Sequence, residues 1–193
     1  MRRYIVTGAP GSGKTAIVRA LLARGYAVVD EAATDVLTRE QQNGVAEPWR
    51  EPGFLDAVIR LQQERQQRLP ADGAVMQVFD QSPICTLTLA RYCGLPITRE
   101  LRTEVNRVVT NTIYQPAVFF VQHDGKIEPT VGGWCTTPDD AERFEELHRS
   151  VYQSMRVYEL VDVPPMALED RVDLIDEALQ ADEVRFSEEA WNY

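Results

Sequence analysis

Five short apolar runs alternate with longer stretches in which apolar residues recur every three or four positions. The runs are residues 3–7, 27–30, 74–79, 117–122 and 157–163. The longer stretches are residues 14–24, 32–42, 53–68, 84–93, 99–113, 138–155 and 166–180. Short, nearly continuous apolar runs are typical of strands buried on both faces, and the longer spacing is typical of helices. Their alternation predicts an α/β fold with a parallel sheet and right-handed crossovers.

The last two predicted helices carry one apolar stripe each, which we interpret as core packing. The stripe residues are Phe144, Leu147, Val151, Met155, Leu168, Val172, Ile175 and Leu179. Thr137 followed by Pro138 is a helix-start signal, because threonine caps helices and proline suits their first turn.

Length and composition favour one globular domain. The chain has 193 residues, of which 44% are hydrophobic, so we expect a single domain over 1–181. Residues 123–137 contain several glycines without periodicity and predict a lid-like loop, while 182–193 predict an acidic tail that docks on a protein partner or frays.

The charge and the apolar runs exclude some function classes. The net charge of −10 argues against a nucleic-acid surface, and no apolar run approaches the length of a membrane span. The chain enters its first strand at once and has three cysteines without metal-ligand spacing. We therefore expect no signal peptide and a cytoplasmic protein.

The segment between the first strand and the first helix fits G-x-x-x-x-G-K-[ST], a phosphate-binding loop. We expect nucleotide contacts from Gly8, Ala9, Pro10, Gly11, Ser12, Gly13, Lys14, Thr15 and Ala16. The glycines let the backbone N–H groups curl around a phosphate, and the helix that follows adds its positive end. Lys14 is expected to reach the β- and γ-phosphates, and the Thr15 hydroxyl to bind Mg²⁺. The predicted cofactors are ATP and Mg²⁺.

Carboxylates follow two further strands, at the sheet edge where ligands bind in parallel sheets. Asp80 ends the third run and is expected to hold Mg²⁺ or to accept a proton, although Asp80 or Ser82 could instead cap the next helix. Glu31 follows the second run and is a candidate base; the alternative is an ordinary acidic first helical turn. Asp35 shares the helical face of Glu31 and could join it.

The remaining predicted contacts are less specific. Pro164, after the fifth strand, could pack on adenine or could simply terminate the strand. Phosphoryl transfer also needs cations around the transferred group. The candidates are Arg91, Arg99, Arg102, Arg107, Lys126, Arg143 and Arg149.

Four segments together resemble the NadR-like AAA-domain group of P-loop proteins, which is related to nucleoside and nucleotide kinases. The segments are Gly8–Thr15, Val28–Ala33, Val78–Pro83, and Val161–Pro164 followed by Glu169–Val172. The resemblance implies a three-layer α/β/α sandwich with five strands in the order 2-3-1-4-5. It also implies ATP and Mg²⁺ at the loop and a small acceptor between the ends of the second and third strands. Related kinases often have Asp-Arg after the third strand, where this chain has Asp80-Gln81, and their lids usually carry an arginine, where 123–137 has only Lys126.

Three functions fit these residues. The first is a small-molecule kinase that moves the γ-phosphate of ATP to a hydroxyl of a nucleoside-like or other metabolite, with Lys14, Asp80 and Glu31 as catalytic residues. The second is an ATPase or nucleotide-dependent switch that acts on a protein partner. The third is a binding module that only retained the loop. The sequence lacks Asn-Lys-x-Asp, which favours ATP over GTP.

Overall fold

The structure is a computed structural model that describes residues 1–51, 53–70, 73–123 and 137–191, with side chains described up to residue 183. The strands are β1 (Arg2–Gly8), β2 (Ala27–Val29), β3 (Met76–Asp80), β4 (Ala117–Val121) and β5 (Glu159–Val163). The helices are α1 (Lys14–Ala23), α2 (Ala32–Gln42), α3 (Phe54–Gln67), α4 (Pro83–Tyr92), α5 (Arg99–Thr110), α6 (Pro138–Ser154) and α7 (Leu168–Trp191), with a short 3₁₀ helix at Pro48–Arg50. The helices of the described part include none that is both long and apolar enough to cross a membrane.

The five strands form one parallel sheet in the order β2-β3-β1-β4-β5, which confirms the predicted fold. β1 is therefore central, between β3 and β4. Val6 pairs with Asp80, and Gly8 pairs with Val121. Because the strands are parallel, the loop after Gly8 and the carboxylate of Asp80 leave the sheet at the same edge.

Two apolar layers cover the sheet. On one face, Tyr4, Val6, Val78 and Phe119 pack with residues of α1 and α7. On the other face, side chains of β1, β3 and β4 pack with α2 to α6 in a second cluster that includes Ile5, Phe79, Val118, Leu101 and Tyr152. Alternate residues of β1 enter different clusters, as expected for a strand buried on both sides.

The last helix runs past residue 181, where the sequence suggested that an acidic tail begins. α7 continues to Trp191. Asp182 accepts a hydrogen bond from the hydroxyl of Tyr4, and its carbonyl accepts one from Arg2 at 2.9 Å. Residues 182 and 183 thus belong to the folded helix and are held against the start of β1.

Several element ends differ from the predicted ones. β3 begins at Met76 rather than at residue 74, and it includes Asp80 as its last residue. β5 begins at Glu159, since Arg156 has a left-handed φ of 53° that interrupts the extended chain before it. The predicted lid-like loop lies almost entirely outside the described residues.

Candidate active site

The chain leaves the central strand through a tight loop that only glycine permits. Gly8 has φ 146°, and a Cβ atom there would lie 2.2 Å from the carbonyl oxygen of Val121. Gly11 and Gly13 have φ values of 78° and 93°, a left-handed region that other residues rarely adopt. The amide of Ser12 donates to the carbonyl of Ala9 at 3.2 Å and closes the turn. The motif therefore folds as a compact loop at the edge of the sheet.

Lys14 and Thr15 open α1 directly after this loop. Lys14 is only 7% exposed, and its ammonium group donates to the carbonyl of Ala9 at 2.7 Å. The hydroxyl of Thr15 donates to Oδ2 of Asp80 at 3.3 Å. The structure thus brings together the lysine, the hydroxyl and the carboxylate that the sequence singled out.

Asp80 is a buried carboxylate that is only partly hydrogen-bonded. It is 5% exposed, and its Oδ1 atom has no hydrogen-bond partner. Burial raises the pKa of Asp80 well above its ordinary value, and the negative charge of Glu31 raises it further, against the opposing effects of Lys14 and Thr15. The helix cap is Ser82, whose hydroxyl accepts the amide of Ile84 at 3.3 Å, so Asp80 does not cap α4.

This arrangement fits a magnesium ion. Mg²⁺ prefers oxygen ligands and is usually held by one or two carboxylates together with substrate phosphates. Thr15 and Asp80 offer a hydroxyl and a carboxylate with an unpartnered buried oxygen, and a cation there would compensate the buried charge. Within the described ranges, no group of three or more His, Cys, Asp or Glu side chains could hold a metal ion.

A cavity of about 250 Å³ opens beside the phosphate loop. Its lining combines loop residues with side chains from the second and third strand ends and from α2, α3, α4 and α6. These residues are Pro10, Gly11, Lys14, Thr15, Glu31, Ala33, Thr34, Gln62, Gln81, Cys85, Thr86, Leu89 and Phe144. The lining is partly apolar and otherwise carries hydroxyl, amide, carboxylate and ammonium groups, as small-molecule sites do.

Glu31 is the acidic residue at the end of β2 that lines this cavity. It caps α2 with its backbone, and its carboxylate accepts a hydrogen bond from the hydroxyl of Thr34 at 2.6 Å. Asp35 does not join it, because the Asp35 carboxylate pairs with Arg65. Arg65 also donates to the backbone carbonyl of Asp30 at 2.8 Å. The sequence left open which carboxylate faces the cleft, and the geometry selects Glu31.

Two glutamines of the cavity wall are oriented by threonine hydroxyls. Thr7 donates to Oε1 of Gln81 at 2.8 Å, and Thr86 donates to Oε1 of Gln62 at 3.1 Å. Gln81 has a left-handed φ of 74°, which is uncommon for a residue with a side chain. Since both carbonyl oxygens are engaged, the amide N–H₂ groups remain as donors for a molecule in the cavity.

A buried histidine contacts Thr7, the residue that orients Gln81 in the cavity wall. His148 on α6 is fully buried, with Nε2 3.2 Å from the hydroxyl of Thr7 and Nδ1 unpartnered. Burial, together with a smaller effect of the charge of Lys14, lowers the pKa of His148 to about 3, so the ring is neutral at physiological pH. Its ring packs with those of Phe120, Phe144 and Tyr152 at centroid distances of 5.3–5.6 Å. α6 is thereby connected to the residue that precedes the phosphate loop.

Arg171 on α7 reaches the phosphate loop from the other side. Its Nη1 donates to the carbonyl of Ser12 at 2.8 Å, and the residue is 8% exposed. Sequence reasoning missed this contact. The sequence did contain a signal of its burial, because Arg171 lies at helical spacing within the apolar stripe of α7. His148 lies in the same way within the apolar stripe of α6.

The other predicted contacts lie away from the cavity lining. Pro164 is half-buried after β5, and its contact with a base stays a prediction. Arg149 pairs with Asp162 at 2.7 Å, and Arg107 pairs with Glu104 at 2.7 Å. Lys126 falls outside the described residues.

The fold and the loop define a P-loop protein of the α/β/α class. An AAA domain family model matches residues 3–171, so the chain belongs to this family. This match agrees with the AAA-domain group that the sequence motifs indicated. Among proteins of curated function, none matches the chain by sequence.

Solved structures with the same fold include several kinases. A deoxyadenosine kinase from M. mycoides with dCMP and dCDP is 11% identical, with a TM-score of 0.57 over 93% of this chain and 99% of that one. A NadR protein in complex with NR is 19% identical, with a TM-score of 0.59 over 84% of this chain and 43% of that one. A thymidylate kinase from Candida albicans is 11% identical, with a TM-score of 0.58 over 94% and 92%. At these identities the likeness concerns the fold.

Proposed function

We propose that this protein is a small-molecule kinase that transfers the γ-phosphate of ATP to a hydroxyl group. The observation that carries the proposal is the contact of Thr15 with Asp80 beside a cavity that Lys14, Thr15 and Glu31 line. A phosphoryl group and an acceptor need to meet in line at such a point.

The nucleotide side of the reaction follows from the loop. The backbone N–H groups of Gly8–Thr15 bind the phosphates, the N-terminus of α1 adds its dipole, and Lys14 neutralises charge on the β- and γ-phosphates. Thr15 and Asp80 hold Mg²⁺, which when bound neutralises charge that develops on the phosphate oxygens. Pro164 after β5 is the proposed contact for the adenine ring.

Glu31 is the proposed general base. Its carboxylate lines the cavity and is oriented by the hydroxyl of Thr34. The acceptor oxygen forms a bond to the γ-phosphorus as the bond between this phosphorus and the β,γ-bridging oxygen breaks. The hydroxyl proton passes to Glu31 and ADP leaves with the electron pair of the broken bond.

The cavity suits a compact, nucleoside-like acceptor. The amide donors of Gln62 and Gln81 meet the polar edges of such a molecule, and Leu89 and Phe144 offer apolar surface for a ring. The NadR protein in the comparison binds NR, and the deoxyadenosine kinase carries dCMP and dCDP, which supports the choice of this class.

The test is ADP release from ATP·Mg²⁺, measured alone and with a panel of nucleosides, nucleotides and small hydroxyl metabolites. A kinase shows release that rises many-fold with one acceptor and is lost in Lys14→Ala. Arg19→Ala is the matched control, because Arg19 is an exposed cation of the same helix. Release that is slow and indifferent to every acceptor would contradict the proposal.

The second candidate is an ATPase that acts as a switch on a protein partner. It is favoured by one observation: the cavity lining drawn from the described residues includes Lys14 as a cation but no arginine. Gln81 stands where related kinases often have an arginine. Since cations accelerate phosphoryl transfer, this lining also suits slow hydrolysis. ADP release that responds to a protein and not to small acceptors would support the switch.

A further inference from the structure

Arg171 presents a buried positive charge to the phosphate loop. The side chain is 8% exposed and enters the loop region from the first turn of α7. Its Nε atom has no hydrogen-bond partner, and its guanidinium forms no ion pair with the carboxylates of the described residues. Burying an unpaired charge is costly, so a site that retains one is suited to an anionic ligand.

The hydrogen bond of Arg171 fixes the orientation of one peptide group. Nη1 donates to the carbonyl of Ser12 at 2.8 Å. In a planar trans peptide the carbonyl and the following N–H point in opposite directions, so the amide of Gly13 is turned away from Arg171. Gly13, with φ 93°, lacks the side chain that would restrict rotation of this peptide. The contact with Arg171 thus opposes rotation of the Ser12–Gly13 peptide.

Gly13 also allows the guanidinium to approach the loop closely. A Cβ atom at Gly13 would lie 3.3 Å from Nη1 of Arg171, which is tighter than ordinary van der Waals contact. The glycine thus serves two purposes, because its backbone turns left-handed and its missing side chain leaves room for the arginine.

We propose that Arg171 is a positioning residue for the nucleotide phosphates, which it favours by holding the Ser12–Gly13 peptide in its anion-binding orientation and by adding a buried positive charge. This inference rests on the proposed binding of ATP at the loop. Arg171 acts through the loop and on the phosphates, not on the base. Its effect is therefore the same for a nucleotide and for a chain of phosphates without a nucleoside.

The experiment compares wild type, Arg171→Met and Arg171→Lys for binding of ATP·Mg²⁺ and of tripolyphosphate·Mg²⁺ by calorimetry. Arg171→Met is expected to weaken both ligands by a similar factor, on the order of tenfold or more, because it removes a charged hydrogen bond. Arg171→Lys keeps the charge but not the planar guanidinium, so its affinities should lie between those of wild type and those of Arg171→Met.

Arg24→Met is the matched control. Arg24 ties α7 to the end of α1 through Asp173 at 2.6 Å and Asp176 at 2.7 Å, and no hydrogen bond joins it to the loop in the described structure. It should lower the melting temperature and leave both affinities within about twofold, since exposed ion pairs affect stability modestly.

Three results would overturn the proposal. They are unchanged affinity in both Arg171 variants, equal losses in Arg171→Met and Arg24→Met, and a loss confined to ATP with tripolyphosphate unaffected. If Arg171→Met does not fold, Arg171→Lys provides the same comparison. A wild-type protein that binds neither ligand would refute the proposed function itself, and with it this inference.

Discussion

The two halves of the candidate site are built in different ways. The proposed phosphate side comes from one continuous segment, Gly8–Thr15, to which Asp80 and Arg171 are added from elsewhere. The proposed acceptor side is assembled from α2, α3, α4, α6 and the ends of β2 and β3, and each contributes one to three side chains. A phosphate is bound mainly by backbone and helix geometry, whereas an organic acceptor is recognised by side chains.

The two sides differ in how far they depend on the tertiary structure of this protein. The backbone of the loop can bind phosphates in any protein that supplies its glycines. The cavity wall depends on pairs such as Thr7 with Gln81 and Thr86 with Gln62, which only this tertiary structure brings together. Substitutions on the two sides should therefore affect different kinetic constants.

The largest effect is expected at Asp80, on the phosphate side. Asp80→Asn keeps the shape but removes the negative charge of the proposed magnesium ligand, so turnover of ATP should fall by about 10²–10³-fold while the acceptor KM stays within about twofold. Initial rates measured against Mg²⁺ concentration check this. Asp35→Asn is the control, because Asp35 pairs with Arg65 outside the cavity lining. An equal loss in both variants would show that general charge, and not the magnesium site, is responsible.

The next largest effect is expected for a substitution of Gly8, where the phosphate loop leaves β1. In Gly8→Ala the new methyl group would meet the carbonyl oxygen of Val121, and both backbone strain and overpacking oppose it. We expect a loss of about 3 kcal/mol in the free energy of unfolding, measured in urea. Gly25 also has a positive φ, +96°, but a Cβ atom there would have no neighbour within 4 Å. Gly25→Ala should therefore lower the free energy of unfolding by only about 1 kcal/mol. Similar losses in the two variants would mean that the close approach at Gly8 is not restrictive.

On the acceptor side, the critical contact is the hydroxyl of Thr7. Thr7→Val keeps the shape and releases Gln81, so the KM for the acceptor found by ADP release should rise about five- to tenfold while the KM for ATP changes little. Thr7→Ser keeps the hydroxyl and should behave like wild type. A rise in the KM for ATP instead would place Gln81 on the phosphate side and weaken the division proposed above.

The smallest effect concerns the pH dependence of stability, through His148. Its folded pKa of about 3 lies below the ordinary value near 6.5, so its contribution is complete above 6.5 and is lost as pH falls toward 3. The contribution of His148 to the free energy of unfolding should fall by up to about 1.4 kcal/mol per pH unit below 6, while Asp80, whose folded pKa is raised, contributes with the opposite sign. His148→Phe removes the His148 contribution, so the pH slope of its free energy of unfolding should differ from that of wild type by this amount. Urea titrations from pH 7.5 to 5 give the comparison, and an unchanged slope in His148→Phe would show that another group titrates.

The same division explains how far the sequence could predict the structure. Lys14, Thr15 and Asp80 were predicted to act together, because a motif and a strand end reveal them without tertiary information. Gln62 and Thr86 could not be predicted, since neither belongs to a motif and their meeting depends on how α3 packs against α4. Arg171 and His148 stand between these cases, because each is a polar residue within an apolar helical stripe. Such a position predicts burial with a specific partner, but the partner is known only from the fold.

The central place of β1 in the sheet has a consequence for the order in which the protein is made. β1 and the phosphate loop are synthesised before β3 and β4, which flank β1 in the sheet. Arg171, which holds the loop, and Asp182, which holds Arg2 and Tyr4, arrive in the last helix. A nascent chain therefore carries the complete motif before the strands and the helix that hold the loop in place have been synthesised.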